Sequence, residues 1–169
     1  PGPLRPDDEA LLAQVEGGFE SVGALIGEVK LRAALAEAMR LAREVNVYLD
    51  HAPWFGAIKT DRQAAATTVY TALRAIDNLK VLLAPYLPHT CEKLHQLLGY
   101  DGQLFGDQHI VTYQEGARPH DALTYDPTPA TGRWTPSALP PGQKLRKPSP
   151  LFKKLDESVI EGERARLGK

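Results

Sequence analysis

Residues 30–54, KLRAALAEAMRLAREVNVYLDHAPW, decide the fold. Leu31, Leu35, Met39, Ala42, Val45 and Leu49 recur at intervals of three or four, the period of one face of a helix, so the stretch is a strongly amphipathic helix. Pro53 ends it or starts a new turn, because the residue before a proline is biased away from the helical region. Trp54 is thereby placed at a helix junction.

Downstream, Asp61 reads as the cap of a second long helix. Val69, Leu73, Ile76, Leu79, the stem of Lys80, and Leu83 keep the helical period to about Ala84. Pro85 and Pro88 punctuate, and Pro88 at a first helical position opens a short helix containing Leu94, Leu97 and Leu98, closed by Gly99. Upstream, Asp7 and Asp8 follow Pro6 and precede Ala10, Leu11, Leu12 and Val15, which reads as an N-cap and an acidic first turn. Gly17, Gly18, Gly23 and Gly27 each cost a helix interior about 1 kcal/mol, so a break or a tightly packed face is expected there.

After Gly99 the character changes. Residues 110–113 and 122–125 flank Glu115-Gly116-Ala117-Arg118-Pro119, a pattern compatible with two short strands in a hairpin. Residues 126–150 are proline-rich and include Trp134, which predicts an extended stretch lying on the bundle by its apolar side chains. Leu151, Phe152, Leu155, Val159 and Ile160 predict a charged terminal helix from Pro150 to near Gly168. The expected class is all-α: a helical bundle over 1–100, a loop-rich extension over 101–150 with that short hairpin, and a C-terminal helix over 151–169. There is no internal repeat.

Composition narrows the function classes. The 169 residues, 43% apolar, suit one domain of ordinary size. The single Cys91 excludes an intramolecular disulfide and a cysteine-based zinc cluster, fits a reducing cytosol and reads as a small core residue. No apolar run approaches the ~20 residues of a membrane span, and Pro1-Gly2-Pro3 has no signal-peptide character. A net charge of −1 does not by itself suggest a nucleic-acid partner, whose phosphates select basic surfaces. No glycine-rich phosphate loop follows a strand, and no histidines are paired at ligand spacing. His51, His89, His95, His109 and His120 are scattered, and each is expected on the surface or at a helix cap.

Val45-Asn46-Val47-Tyr48-Leu49-Asp50-His51-Ala52-Pro53-Trp54, followed by Ala57-Ile58-Lys59, resembles the tip of the anticodon-binding bundle of methionyl-tRNA synthetases. Leu73-Arg74, then Leu82-Leu83-Ala84-Pro85-Tyr86-Leu87-Pro88, then Leu94 and Leu98-Gly99 follow in that family's order, as do Leu139, Gly142, Pro148, Pro150-Leu151-Phe152, Lys153 and Lys154. The Leu82–Pro88 run is shared by class I synthetases for aliphatic amino acids. Ala52-Pro53-Trp54 with Pro150-Leu151-Phe152-Lys153-Lys154 narrows the resemblance to methionine.

The resemblance implies a tRNA anticodon-binding module of a methionine–tRNA ligase that catalyses nothing alone. Its partners would be methionine-specific tRNA and the catalytic domain of the same polypeptide. Its location would be the cytoplasm, and it would not meet a membrane. ATP and Mg²⁺ belong to the parent enzyme, and no cofactor is implied for these residues. Trp54 would stack on the first anticodon base and Pro53 would fix the turn that presents it. RNA readers stack splayed bases on aromatic faces at ~1–3 kcal/mol per base.

The family's first bundle helix, whose asparagine and arginine read the same base, is expected to precede Pro1. Asn46 belongs to the later motif, and a helix-end or inter-helix hydrogen bond is favoured over RNA contact for it. Only His51 and Ala52 separate Asp50 from Pro53, one residue fewer than the family pattern, which rotates a helical position by about 100°. A core tryptophan under the junction is the competing reading of Trp54, and Trp134 is expected to pin the tail. Lys144, Arg146, Lys147, Lys153 and Lys154 could contact phosphates or simply be solvated. Two rivals stand beside this reading: the same domain of a synthetase for valine, isoleucine, leucine or cysteine, and a helical interaction domain that binds no RNA.

Overall fold

The computed structural model describes residues 1–52 and 54–167; Pro53, Gly168 and Lys169 lie outside them. Among the described residues there are seven helices and one hairpin. The helices are α1 (Pro6–Glu16), α2 (Gly18–Gly27), α3 (Leu31–His51), α4 (Trp54–Thr60), α5 (Arg62–Leu82), α6 (Pro88–Leu97) and α7 (Ser158–Leu167), and the strands are β1 (Asp107–Glu115) and β2 (Arg118–Asp126).

The first helix starts one step earlier than the acidic pair suggested. Arg5 is the N-cap, Pro6 occupies the first helical position, and Asp8 is the third residue, not the cap. Its carboxylate reaches back to accept from the Arg5 backbone N–H at 2.8 Å, the return half of a capping box. The expected glycine break falls at Gly17, between α1 and α2. Gly18 meets the tightly packed face: a Cβ there would lie 2.5 Å from Leu41 Cδ1 and 2.8 Å from Leu82 Cδ1.

The core joins Leu11, Leu12 and Val15 of α1, Phe19 and Val22 of α2, Leu41 and Val45 of α3, and Leu79 and Leu82 of α5. The predicted helices α3 and α5 are present, but each is rotated from the face drawn by its largest apolar residues. On α3 the buried positions are Ala34, Ala38, Leu41 and Val45, while Leu31 and Met39 are exposed. On α5 Val69 is exposed, and Ala65, Thr68, Ala72, Ala75 and Leu79 face inward. Small side chains let two helix backbones approach closely, so the contact line follows alanine and threonine and the longer side chains fall to its edges. Asp61 caps α5 as expected, accepting from the Ala64 N–H at 2.9 Å.

Helix α6 begins at Pro88 and ends at the C-cap Leu98, with Gly99 following at φ +83°. A Cβ at Gly99 would come 2.1 Å from the Lys144 carbonyl oxygen, so both conformation and space require glycine. The last carbonyls of α6 are satisfied from the extension: the Gln143 side-chain amide donates to Leu98 and Gly99, and the Arg146 N–H donates to Leu97.

The hairpin runs in antiparallel register from Asp107↔Asp126 to Glu115↔Arg118, leaving Gly116-Ala117 as a two-residue loop. Gly116 has φ +58°, the positive value that the first loop position of a II′ turn requires. The strands are longer than the sequence pattern indicated, and Ile110 and Leu123, paired opposite one another, are both exposed. In the extension, Leu139 is buried and Trp134 packs edge-on against Phe19 while its Nε1–H donates to the Phe19 carbonyl.

The terminal helix is shorter than the apolar pattern predicted and starts at Ser158 rather than at Leu151. Asp156 supplies the start, accepting from the Ser158 N–H on its carboxylate and from the Val159 N–H on its carbonyl. Residues 151–157 bury no apolar face against the bundle, which removes the main reason for a helix there. No helix among the described residues is long and apolar enough to cross a membrane.

Candidate nucleic-acid interface

The N-terminus of α1, the C-terminus of α3, all of α4 and the first turns of α5 meet at one end of the bundle. Helix α3 closes there with its own groups: the Ala52 N–H donates to the Tyr48 carbonyl, and the His51 ring Nδ1 lies 2.7 Å from the Val47 carbonyl. The chain then turns into α4, whose first residue, Trp54, donates its N–H to the Ala52 carbonyl at 2.7 Å. Trp54 is half-buried, not a core residue. Its ring lies on that of Phe55, centroids 3.5 Å apart and planes 28° apart. Phe55 is 73% exposed and Ile58, one turn on, is also exposed, so α4 offers solvent an apolar aromatic patch.

The remaining predicted site residues fall as follows. Pro53 lies outside the described residues. Asn46 is exposed and makes no side-chain hydrogen bond among the described residues; the helix-end or inter-helix bond expected for it is not present, because its position on α3 faces solvent rather than a neighbouring helix. Asp50 is exposed too.

Between α1, α3 and α5 the structure assembles a cluster that no sequence pattern announced as a whole. Asp8 is completely buried. It receives Nε and Nη2 of Arg5 at 2.9 and 2.8 Å and the Tyr48 hydroxyl hydrogen from α3, and Nη2 also reaches Thr68 Oγ1 on α5 at 2.7 Å. Burial alone would raise the Asp8 carboxyl, but the hydrogen bonds from Arg5 and Tyr48 outweigh it and hold it at about 2. Three helices are thus tied together at the end that presents Trp54. A groove of about 350 Å³ runs between α1 and α3 beside this cluster, lined by Arg5, Gln14 and His51 as well as by Asp7 and Glu44. Its charge is mixed rather than continuously acidic.

The capping-box spacing of Arg5-Pro6-Asp7-Asp8 was a local signal for part of this cluster. Nothing local announces Tyr48 and Thr68, which meet Arg5 across 43 and 63 residues.

A second polar cluster locks the extension to the bundle at α5 and α6. Lys80 Nζ lies 2.6 Å from Asp77 Oδ1 and 3.1 Å from His95 Nδ1, and 4.3 Å over the Tyr100 ring. The Tyr100 and Ser137 hydroxyls donate to Asp77 Oδ2. His95, expected on the surface, is buried, and its stacked contact with Tyr100 shows why: the ring fills the space between α6 and the extension. Burial first, then Lys80, lowers its pKa. Cys91 is the predicted core residue, its thiol pushed up to about 11 by burial. No group of three or more metal-ligating side chains occurs among the described residues.

A helical bundle with an aromatic presented between two helices at one end is the class of fold that the sequence resemblance implied. The family model for the anticodon binding domain of methionyl tRNA ligase matches residues 1–118, and the chain belongs to that family. It is 55% identical over 170 residues to the methionine–tRNA ligase of Thermomicrobium roseum and 51% identical over 172 residues to that of Chloroflexus aggregans. In both cases 99% of this chain is covered, but only 29% and 28% of the relative, so the chain spans little more than a quarter of their length. Among solved structures it is similar to the free-state Mycobacterium tuberculosis methionyl-tRNA synthetase, with a TM-score of 0.65 and 21% identity over 92% of this chain and 27% of that one. The two rival readings, another class I synthetase and a helical domain that binds no RNA, give way to this family.

Proposed function

We propose that this chain binds the anticodon loop of methionine-specific tRNA, with Trp54 as the platform on which the first anticodon base stacks. The observation that carries the proposal is the half-buried Trp54 at the α3–α4 junction, stacked on the exposed Phe55. A base stacked on an aromatic face gains free energy whatever its identity, so Trp54 supplies affinity and the flanking polar groups supply selectivity. Pro53 fixes the entry into α4, and Asn46 stands exposed on the last turns of α3 as a secondary contact. In the proposal the chain forms one bundle over 1–100 carrying an extension over 101–150 and a terminal segment over 151–169.

Aminoacylation itself, with its ATP and Mg²⁺, belongs in this reading to the catalytic domain of the full-length ligase in the cytoplasm, and this chain contributes recognition. The test is binding of this chain to a stem-loop RNA bearing the methionine anticodon, competed by the same stem-loop with its first anticodon base changed. The proposal expects the altered loop to compete at least about tenfold less well, the discrimination that one base contact gives. Equal competition would overturn it.

A further inference from the structure

We infer that Arg5 is a base-reading residue of the same tip, donating through Nη1 to acceptor atoms of a nucleotide lodged in the groove between α1 and α3. The inference rests on the tRNA-binding reading above. The Arg5 guanidinium is held on three sides: Nε and Nη2 grip the buried Asp8 carboxylate, and Nη2 also meets the hydroxyls of Tyr48 and Thr68. Asp8 is itself fixed by the Tyr48 hydroxyl and by the Arg5 backbone N–H.

A helix cap alone would need only the backbone contact. Here the side chain of the capping residue is immobilised as well, and its remaining nitrogen, Nη1, makes no hydrogen bond among the described residues. The side chain is 42% exposed and lines the groove, whose walls also include Ala52, two residues before Trp54 in the sequence. An arginine already locked in place surrenders little rotamer freedom when it binds.

The groove selects the chemistry of its occupant. Asp7 and Glu44 on its walls repel a phosphate, whereas the Gln14 amide offers an uncharged hydrogen-bonding group. Two N–H donors fixed in a plane match the acceptor atoms on the edge of an unstacked base, and RNA-reading proteins recognise loop bases along those edges. Trp54 would then supply the stacking face at this end of the bundle, and Arg5 an edge contact that distinguishes one base from another.

The test compares wild type with Arg5→Lys, which keeps the charge and loses the fork. Binding to stem-loop RNAs, one with the methionine anticodon and others with single-base changes through the loop, is followed by fluorescence anisotropy across a salt series. The inference expects the cognate loop to bind Arg5→Lys about tenfold more weakly, discrimination at one base position to collapse, and the salt slope to stay the same. Unchanged affinity and discrimination would overturn it. A uniform loss across all loops would overturn it as well, marking Arg5 as structural.

Because the substitution also disturbs the α1 cap, a second measurement uses the wild-type chain alone. In ¹⁵N spectra of its arginine side chains, the Arg5 guanidinium signals should shift when the cognate RNA is added, and unmoved signals would contradict the inference. If wild type shows no anticodon-dependent binding, the tRNA reading fails and this inference with it. If Trp54→Ala loses binding while Arg5→Lys does not, only the role of Arg5 falls.

Discussion

The Tyr48 hydroxyl on α3 donates to the Asp8 carboxylate on α1, across 40 residues of chain, and the acid it meets is completely buried. That bond and the Arg5 fork tie α1, α3 and α5 together. Asp8→Ala removes both the capping box and the ion pair. Because Arg5 is 42% exposed, solvent screening discounts the ionic part, and the expected loss is about 2 kcal/mol. Tyr48→Phe deletes one hydroxyl and should cost about 1 kcal/mol. Urea unfolding followed by far-UV circular dichroism measures both, and an Asp8→Ala protein as stable as wild type would show that the cluster contributes nothing.

Acid should act in two steps. The His95 pKa is lowered in the folded state, so the contribution of its neutral form is complete above the ordinary histidine value of 6.5 and declines as pH falls through it. The Asp8 carboxyl is depressed from 3.8 to about 2, so its contribution is complete above 3.8 and is lost as pH falls towards 2. Thermal melts taken from pH 8 down to pH 2 should show a first decline below about pH 6.5 that His95→Gln flattens, and a second below about pH 4 that Asp8→Ala flattens. A single acid transition untouched by either variant would contradict both assignments.

Two glycines of α2 should respond in opposite directions to the same substitution. In Gly18→Ala the new methyl meets two buried leucine methyl groups, and overpacking of about 1–3 kcal/mol outweighs the helix-propensity gain of about 1 kcal/mol. In Gly27→Ala nothing lies within 4 Å of the new atom, and the propensity gain remains. Midpoints of urea unfolding should move down for the first and up or not at all for the second. A stabilised Gly18→Ala would mean that Leu41 and Leu82 can give way.

Most of the helices were legible because their signals are local. Asp61 as a cap and Pro88 at a first helical position each depend on a handful of neighbouring residues and are where the sequence placed them, and the break expected among Gly17, Gly18, Gly23 and Gly27 falls at Gly17. The hairpin was legible but its turn was not: the strands continue to Glu115 and from Arg118, leaving only Gly116-Ala117 as the loop. The buried faces of α3 and α5 were legible in part: Val45 and Leu79 are buried and Ala42, Leu49, Ile76 and Leu83 pack on the core, but Leu31, Met39 and Val69 are exposed because the closest packing runs along Ala34, Ala38, Ala72 and Ala75.

The sites divide in the same way. Trp54 at a junction was readable from Pro53 alone. The Asp77–Lys80–His95–Tyr100 cluster and the environment of Arg5 were not, since each exists only when distant segments converge, and no spacing along the chain encodes that.

Stacking on Trp54 and phosphate contact by basic side chains respond differently to salt. If Trp54 supplies stacking, RNA binding by Trp54→Ala should weaken without a change in the slope of log affinity against log salt. Replacing Lys153 and Lys154 together by alanine should reduce that slope if they touch phosphates and leave it alone if they are only solvated. Titrations at four salt concentrations separate the two, and a changed slope in Trp54→Ala would argue against stacking.

The central claim is that Trp54 stacks on an anticodon base. Its most direct measurement is the affinity of Trp54→Ala for the methionine anticodon stem-loop, beside Trp54→Phe and with folding checked by thermal melting. The account predicts that alanine weakens binding about tenfold or more while phenylalanine restores most of it, since stacking is worth ~1–3 kcal/mol per base. Wild-type affinity in a folded Trp54→Ala protein would contradict it.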